Sequence, residues 1–500
     1  MKKFIYLTLL FSISFKLYSQ KDSTVLNGGI LKGYYGVLGC NKHYTYLSVS
    51  KNRDFNGYNK IKVIDRNNKV INTIDYLYHP TFFIDKSTKN AGIFISEEKI
   101  YFLIAKYNKV ENIWENYIDT YSLDLKNKIS DSKKIVLDYN TNKILFNSYE
   151  YKFLSKQLRI HSSGIQYFIK NYRDENNFIN IDIISYNSDF ELIERKTIIT
   201  KIKTEKNIFY KHEILENGAL FIQFPTYKDQ EHNNNLLTNY IFNPYENELI
   251  NFDLEKPNYD FQFSKIVKLR DKYICIGSLI NHNEEKENQL GLFKVEVDEG
   301  LSNDIRISII QLDKGTLDNK SNGFEIHYLD YLADNSLVVI GKSYDKSKYY
   351  TNPYALSSSN IEYDDYLLSN PNDIFNLIKN TRDIMFIKID NSNNEIITST
   401  TYKSFNYISY NFYEDKHLLN VVKKDNSYDI YSKNYNCGKT DVKSVERLNV
   451  DLNGEFNKIP LQHPKEFINK SKSSCKLYLV DNEILFWYTR SKYCTLSYSN

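Results

Sequence analysis

The chain has 500 residues, of which 41% are hydrophobic and 25% are charged, values that are typical of a folded globular protein. Its 17 glycines and 8 prolines are too few for a collagen-like or low-complexity chain, and its 44 tyrosines and 29 phenylalanines supply a large core. The formal net charge of +3 gives no electrostatic reason to bind nucleic acid or an anionic membrane.

Residues 1–19 are typical of a signal peptide. Lys2 and Lys3 precede an apolar stretch, 4–15, that is too short to span a bilayer, and Ser19 is a small residue at a plausible cleavage point. No cysteine follows this stretch directly, which disfavours a lipoprotein anchor, and no later stretch has 18 consecutive apolar residues. We therefore expect a secreted or periplasmic mature chain, residues 20–500, that forms one domain and does not insert into a membrane.

A polar turn followed by a short strand rich in β-branched and aromatic residues recurs eight times. The turns begin at residues 41, 97, 162, 216, 270, 334, 414 and 481, a mean step of about 63 residues, which accommodates four strands with their turns. The pattern predicts an all-β fold of eight four-stranded blades, the layout of a β-propeller. Seven blades with one irregular copy is the main alternative, and two separate β domains is the third.

A second landmark lies downstream of several of these strands. Residues 63–71, 186–193, 242–250 and 389–397 each have the pattern of a strand, a turn rich in Asn and Asp, and a second strand. Asn and Asp tolerate the left-handed backbone conformation that such hairpins need, which explains how so few glycines suffice. The same reasoning makes 390–395 a hairpin turn and not a calcium loop, because the required glycine is missing.

The longest step, 80 residues, reflects an insertion at 344–380 in the sixth unit. Its last part predicts the one helix of the chain, residues 370–379, with Asn370 as N-cap and Pro371 at the first helical position. The insertion follows the second strand of its unit, which places it on the propeller face that most members use for ligands. Its tyrosines and acids offer stacking surfaces and acceptors to a sugar or a peptide, and the candidate binding residues are Tyr349, Tyr350, Tyr354, Tyr363, Asp364, Asp365 and Tyr366. The alternative is a loop that packs only on its own blade.

The eighth unit has three predicted strands and then ends at Asn500. A spare strand within residues 23–31 is predicted to fill the missing edge and to close the ring of blades. Closure of this kind removes the exposed edges that otherwise favour aggregation.

The sixth unit carries a resemblance to a known family. Residues 334–343, followed by 383–390 and 395–402, resemble the kelch-like blade repeats of secreted bacterial β-propellers. In those repeats an Asp-Gly-Gly turn enters the second strand, and a Lys-x-Asp pattern leaves the third strand. The resemblance implies a propeller along nearly the whole mature chain.

Cysteines and histidines do not form a metal-binding motif. The five cysteines have no CxxC spacing, and Cys475 and Cys494 are predicted on strands separated by a third, too far apart for a disulfide. The nine histidines form no HxH or HExxH motif, so a metal site would need residues from distant units. His161, His212 and His327 fall on or near predicted first strands, which line the central channel of a propeller.

These observations favour a binding or scaffolding module for a protein or a glycan, monomeric and without catalysis or cofactor. The sequence has no nucleophile-elbow, Walker or dinucleotide motif. A propeller hydrolase or lyase that acts on polysaccharide is the first alternative, and a structural envelope component is the second. Three or more buried carboxylates or histidines meeting in the central funnel would favour an enzyme, whereas Tyr, Asn and Lys there would favour binding.

Overall fold

The structure is a computed structural model. It describes residues 31–32, 34–50, 59–67, 69–76, 88–108, 110–111, 113–135, 158–160, 166–174, 176, 178–203, 211–227, 235–281, 289–299, 305–312, 323–344, 348–351, 375–404, 407–409, 419–435, 442–459, 473–480, 483–490 and 493–498. Every helix or strand within these ranges is a β-strand, so the described residues contain no helix that could cross a membrane.

The first third of the chain contains the strands of two complete sheets. A short strand, β1 (Leu31–Lys32), comes first. Sheet 1 consists of β2 (Tyr34–Cys40), β3 (Tyr44–Ser50), β4 (Asn59–Asp65) and β5 (Val70–Tyr76). Sheet 2 consists of β6 (Thr88–Ile95), β7 (Ile100–Asn108), β8 (Ile113–Tyr121) and β9 (Lys128–Ile135).

The middle of the chain repeats the same arrangement three times. Sheet 3 consists of β10 (Leu158–Ile160), β11 (Gln166–Arg173), β12 (Phe178–Tyr186) and β13 (Leu192–Lys203). Sheet 4 consists of β14 (Lys211–Ile214), β15 (Leu220–Tyr227), β16 (Asn235–Asn243) and β17 (Glu248–Leu254). Sheet 5 consists of β18 (Tyr259–Leu269), β19 (Lys272–Asn281), β20 (Gln289–Asp298) and β21 (Ile305–Gln311).

The last third contains three further sheets. Sheet 6 has six strands, β22 (Gly323–Tyr331), β23 (Ser336–Tyr344), β24 (Lys348–Thr351), β25 (Phe375–Asp390), β26 (Ile396–Tyr402) and β27 (Tyr407–Ser409). Sheet 7 consists of β28 (Leu419–Lys424), β29 (Ser427–Tyr435), β30 (Val442–Asp451) and β31 (Phe456–Ile459). Sheet 8 consists of β32 (Ser473–Val480), β33 (Glu483–Arg490) and β34 (Tyr493–Tyr498), with β1 as its fourth strand.

The strands of sheets 1–5 and 7 follow one another in chain order, each antiparallel to the next. A four-stranded antiparallel sheet repeated in this way is the blade of a β-propeller, and the predicted fold class is therefore confirmed. The number of blades in a closed ring stays a prediction. The chain divides into two compact units, one that contains sheets 1 and 8 and one that contains sheets 2–7.

Within the larger unit, consecutive sheets from sheet 3 to sheet 7 share clusters of buried side chains. Leu220 belongs to the cluster that joins sheets 3 and 4, whereas its neighbour Phe221 belongs to the cluster that joins sheets 4 and 5. Successive side chains of a strand point to opposite faces, so sheets 4, 5 and 6, which each belong to two clusters, are buried on both faces. This explains the unbroken apolar runs of the second strands: residues 273–280 of β19 are all buried, whereas outer strand β21 alternates with exposed residues.

Hydroxyl groups of tyrosines connect neighbouring sheets of this unit. Tyr101 in sheet 2 donates to the carbonyl oxygen of Ser188 in sheet 3, at 3.0 Å. Tyr428 in sheet 7 donates to the carboxylate of Asp330 in sheet 6, at 2.7 Å. These tyrosines are thus both core residues and hydrogen-bonding links between blades.

The turns between third and fourth strands confirm the predicted role of Asn and Asp. The side-chain oxygen of Asn187 accepts hydrogen bonds from the backbone N–H groups of Asp189 and Glu191, both at 2.9 Å. Asp451 makes the same pair of bonds with Asn453 and Glu455. The left-handed backbone conformation occurs at three asparagines, Asn247, Asn335 and Asn394, as expected. It also occurs at Leu125, Phe190 and Arg270, residue types for which the sequence did not predict it. The segment 390–395 is a hairpin turn, as predicted.

Two predictions of secondary structure are wrong. Residues 375–379, placed in a helix by the sequence, belong to β25, and Leu377 pairs with Tyr349 of β24. The helix was predicted from local signals, the N-cap residue Asn370 and the proline at 371. The pairing of β24 with β25 is a contact between segments that are distant in sequence, and it determines the structure of residues 375–379. The repeat also makes the eight strands that follow the turns equivalent. Seven of them are second strands, β3, β7, β11, β15, β19, β23 and β33, but β28, which follows the turn at 414, is the first strand of sheet 7 and pairs only with β29.

The two ends of the chain meet in sheet 8. Leu31 pairs with Cys494 and Lys32 with Tyr493, in the antiparallel sense. Strand β1 therefore pairs at the edge that the sequence left open. Of residues 23–31, for which the spare strand was predicted, only Leu31 is among the described residues, and closure of the whole ring stays a prediction. Strand β33 separates Cys475 on β32 from Cys494 on β34. This confirms the predicted placement of the two cysteines on strands separated by a third.

Candidate ligand site on the first strands

The sequence-predicted binding residues of the insertion are only partly described. Tyr349 and Tyr350 lie in β24, opposite Leu377 and Asn376 of β25. Tyr354, Tyr363, Asp364, Asp365 and Tyr366 lie outside the described residues. The described residues therefore do not test whether these seven residues come together, and the insertion site stays a prediction.

The first strands of sheets 4, 5 and 6 carry a different set of polar residues. We name this set the first-strand cluster. Its members are Lys211, His212 and Glu213 of β14, Lys265 of β18, Glu325 and His327 of β22, and Lys342 of the adjoining β23. A first strand is the free edge of its sheet, and β14 is half-buried along its whole length. Half-burial at an edge lets charged side chains stay near solvent while their strand packs on its neighbours.

A β-bulge positions His327. Ile326 pairs with Gly341 and Tyr328 pairs with Ile340, so His327 is the extra residue without a partner across the ladder. A bulge of this kind redirects a side chain, and bulges are frequent beside functional sites. Gly341 permits the close crossing of the two strands, because a Cβ atom there would lie 2.3 Å from the carbonyl oxygen of Glu325.

Burial and charge together keep His327 neutral. The pKa of this imidazole is lowered from 6.5 to about 4, mainly by burial. The negative charge of Glu325 opposes this lowering, and the positive charges of Lys211, Lys265 and Lys342 increase it. The three lysines come from three different sheets, yet they all act on the same ring. At neutral pH the imidazole therefore has one N–H donor and one acceptor nitrogen.

Polar contacts across sheet boundaries hold Lys265 and Lys342 of the cluster. The ammonium of Lys265 donates to Glu213 at 2.8 Å across the boundary between sheets 4 and 5. The ammonium of Lys342, whose side chain is buried, donates to the hydroxyl of Ser432 in sheet 7 at 3.2 Å. These contacts tie four consecutive sheets to the cluster.

Two buried polar atoms of the cluster receive no hydrogen bond from the described residues. They are Oε2 of Glu213 and Nε2 of His327. A buried polar atom without a partner costs about 1–3 kcal/mol, which is why most such atoms in native proteins are paired with protein, water or ligand. Both atoms therefore lack the hydrogen-bond partner that a buried polar atom usually has.

Sequence reasoning identified part of this cluster. It placed His212 and His327 on first strands, and the structure confirms both positions, whereas His161 lies outside the described residues. It missed Lys211, Glu213, Lys265, Glu325 and Lys342. The first four share one signal, a charged residue within a first strand, whereas Lys342 lies on the second strand of its sheet. The bulge and the inter-sheet contacts have no signature in sequence.

A separate group of carboxylates lies where the turns of sheets 4 and 5 meet. Glu246, Glu248 and Glu299 can place one oxygen each within 4.8 Å of one another, a geometry that could hold a cation. However, the Lys268 ammonium and the Tyr273 hydroxyl both donate to Glu299. The local charge of Glu299 is thus already balanced within the protein.

No protein-family model and no curated protein matches the sequence. Solved structures with some similarity include the β-propeller domain of the Trilobed protease from Pyrococcus furiosus, with 14% identity, a TM-score of 0.34, and coverage of 83% of this chain and 94% of that chain. The GH93 α-L-arabinofuranosidase of Fusarium graminearum shows 9% identity and a TM-score of 0.33, with coverage of 69% and 93%. The α-L-arabinanase of Penicillium chrysogenum shows 8% identity and a TM-score of 0.34, with coverage of 69% and 92%. Similarities of this size assign no activity.

Proposed function

We propose that this protein is an exported, kelch-like β-propeller that binds a protein or a glycan without catalysis, and that its eight sheets close into a ring. The ligand lies on the first-strand cluster, because first strands line the central channel of a propeller. The N-terminal strand paired to β34 supports ring closure.

One observation carries the proposal of a ligand site. The β-bulge at His327 presents a neutral imidazole whose Nε2 atom has no partner among the described residues, beside lysines from two other sheets. A purely structural histidine is expected to have both nitrogens paired. A ligand group gives this atom a partner.

The test is a glycan array combined with a pull-down, using the mature protein and its His327→Ala variant. We expect at least one ligand for the mature protein and a weaker signal, by about tenfold or more, for His327→Ala. The matched control is His43→Ala, which changes an exposed histidine of sheet 1 and should keep full binding. Equal binding by both variants would place the ligand elsewhere.

The insertion is proposed as a second contact surface for the same ligand, through its seven candidate residues. A chain in which residues 352–374 are replaced by a short Gly-Ser linker keeps β24 and β25. We expect this variant to bind the ligand more weakly than the full chain does. Unchanged affinity would remove the insertion from the site.

A second candidate function is a hydrolase or lyase that acts on polysaccharide. It is favoured by the presence of two acids, Glu213 and Glu325, and of His327 in one cluster, since glycoside cleavage uses a pair of carboxyl groups. Incubation of the protein with polysaccharides and assay of new reducing ends tests it. Turnover that disappears in Glu213→Gln and Glu325→Gln would establish the enzyme and overturn the proposal of a non-catalytic module.

A further inference from the structure

We propose that Asn453 is a site of spontaneous modification, at which its carboxamide is converted into the carboxylate of aspartate or isoaspartate. This inference is independent of the proposed function. Five Asn-Gly pairs occur in the sequence, and two of them, at 217–218 and 453–454, lie entirely within the described residues. The two turns have similar backbone geometry but differ in what holds the asparagine side chain, so each is a control for the other.

The reaction needs only the chain and water. Once hydroxide has removed the proton of the Gly454 N–H, the backbone nitrogen attacks the side-chain carbonyl carbon of Asn453. The bond from that carbon to the amide nitrogen breaks, and ammonia leaves. One water molecule then opens the cyclic imide at either of its carbonyls, which gives aspartate or isoaspartate. Glycine favours this reaction because it has no side chain to obstruct the attacking nitrogen.

Both asparagines occupy the same position of a tight turn, and the buried glycine that follows has a φ angle of 86° in the first turn and 83° in the second. The N–H of Gly218 donates to the carbonyl oxygen of Leu215 at 2.8 Å. The equivalent hydrogen bond, from Gly454 to Asp451, is 3.1 Å long, and the bond that closes the ends of the turn is 3.3 Å long against 2.8 Å in the first turn. Since hydrogen bonds weaken as they lengthen, the turn at Asn453 opens more easily.

The carboxamide of Asn217 is held at both ends. Its Nδ2 atom donates to the hydroxyl of Tyr273 in sheet 5 at 3.3 Å, and its Oδ1 atom accepts from the N–H of Ala219 at 3.2 Å. The residue as a whole is half-buried. Rotation of this carboxamide onto the glycine nitrogen therefore breaks two hydrogen bonds, one of them to a neighbouring sheet.

Asn453, in contrast, is exposed, and the hydrogen bond of its carboxamide lies within its own turn. Its Nδ2 atom donates to the carboxylate of Asp451, two residues back, at 3.3 Å. This contact involves no other sheet, so the carboxamide can rotate toward the Gly454 nitrogen without disturbing the packing between sheets. Exposure also gives water access to the carbonyl carbon.

Modification of Asn453 should loosen the contact between sheets 6 and 7. The hydroxyl of Thr400 on β26 donates to the carbonyl oxygen of Gly454 at 2.8 Å, and a Cβ atom at Gly454 would lie 2.7 Å from that hydroxyl. The turn therefore packs closely on sheet 6. Isoaspartate inserts one extra carbon into the backbone beside this contact, and either product places a third negative charge between Asp451 and Glu455.

The experiment compares both sites in one sample. The mature protein is aged at mildly alkaline pH, digested and analysed by peptide mass spectrometry, which detects the replacement of the amide by a hydroxyl and identifies isoaspartate from its fragments. We expect the modified fraction to grow at least about fivefold faster at Asn453 than at Asn217, the factor that corresponds to one hydrogen bond. The chain unfolded in urea is the control for intrinsic reactivity, and there the two rates should be similar.

Two variants separate the contributions. Asn453→Ser removes the carboxamide, so ageing should no longer modify this position, and the faster hydrogen exchange that we expect in the turn and in β26 of the aged protein should disappear. Tyr273→Phe removes the hydroxyl that holds Asn217. Modification of Asn217 should then rise by about fivefold, while modification of Asn453 stays unchanged.

Equal rates at the two sites of the folded protein would overturn the inference. So would an unmodified Asn453 after a period in which the unfolded chain is modified, because the turn would then protect its asparagine as firmly as sheet 5 protects Asn217. An unchanged rate at Asn217 in Tyr273→Phe would contradict the explanation of the difference by hydrogen bonds of the side chain.

Discussion

At the level of single residues, the imidazole of His327 should make the stability of the fold sensitive to mild acid. Its pKa is about 4 in the folded chain, because of burial, and 6.5 in the unfolded chain. As the pH falls from 6.5 to 4, the unfolded chain binds a proton that the folded chain does not, so the free energy of unfolding decreases, by up to about 3 kcal/mol. Above about pH 7.5 the imidazole is neutral in both states, and this residue no longer affects the pH dependence.

Substitution of His327 tests this directly. His327→Asn and His327→Gln should both flatten the decrease in stability between pH 6.5 and 4.5, measured by urea denaturation, whatever their effect on stability at pH 7. Glu115 and Asp334, whose carboxyl groups have pKa values lowered to about 2 by hydrogen bonds from Lys134 and Lys388, lose their contribution only below about pH 4.5. An unchanged slope in both variants would contradict the burial of the imidazole.

A tyrosine hydroxyl provides a second prediction at this level. Tyr428→Phe keeps the buried ring but removes the hydrogen bond to Asp330, which retains its ion pair with Lys423 at 2.7 Å. We expect a loss of about 1 kcal/mol in the free energy of unfolding. The control is Tyr245→Phe, since this ring is 59% exposed, and its substitution should be neutral. Equal effects would mean that the hydroxyl does not link sheets 6 and 7.

At the level of elements, the close crossing of β22 and β23 depends on Gly341. A Cβ atom at this position would lie 2.3 Å from the carbonyl oxygen of Glu325 and 2.5 Å from the ring of Phe324. Gly341→Ala should therefore destabilise the protein by about 2 kcal/mol or more and weaken ligand binding, because the bulge has to shift. Gly291→Ala, where the nearest atom is 3.0 Å away, should cost less. The reverse order, measured by chemical denaturation, would contradict this packing.

The sequence predicts the strands that are buried on both faces better than it predicts elements that depend on tertiary contacts. Second strands are buried on both faces, so their apolar runs are visible in sequence, as residues 273–276 illustrate. The same signal misassigned β28, a first strand whose first four residues are also buried. Asn370 and Pro371 are good local helix signals, but the pairing of β25 with β24 prevails over residues 375–378. The bulge at His327 depends on tertiary contacts, and therefore no sequence pattern predicted it.

At the level of the whole molecule, the pairing of β1 with β34 joins the two ends of the chain. A mature chain that begins at Tyr34 lacks β1, and the matched control begins at Gly28. We expect the shorter chain to melt at a lower temperature and to aggregate more readily, because β34 then becomes an exposed edge. Equal melting temperatures and equal solubility would show that this pairing does not stabilise the fold.

Small-angle X-ray scattering of the mature protein tests the ring of eight sheets most directly. A compact particle of this chain length has a radius of gyration of about 23 Å, and a closed ring should give that value with a single-peaked distance distribution. A radius of gyration well above about 30 Å, or a distribution with two separate peaks, would mean that the sheets do not form one closed body.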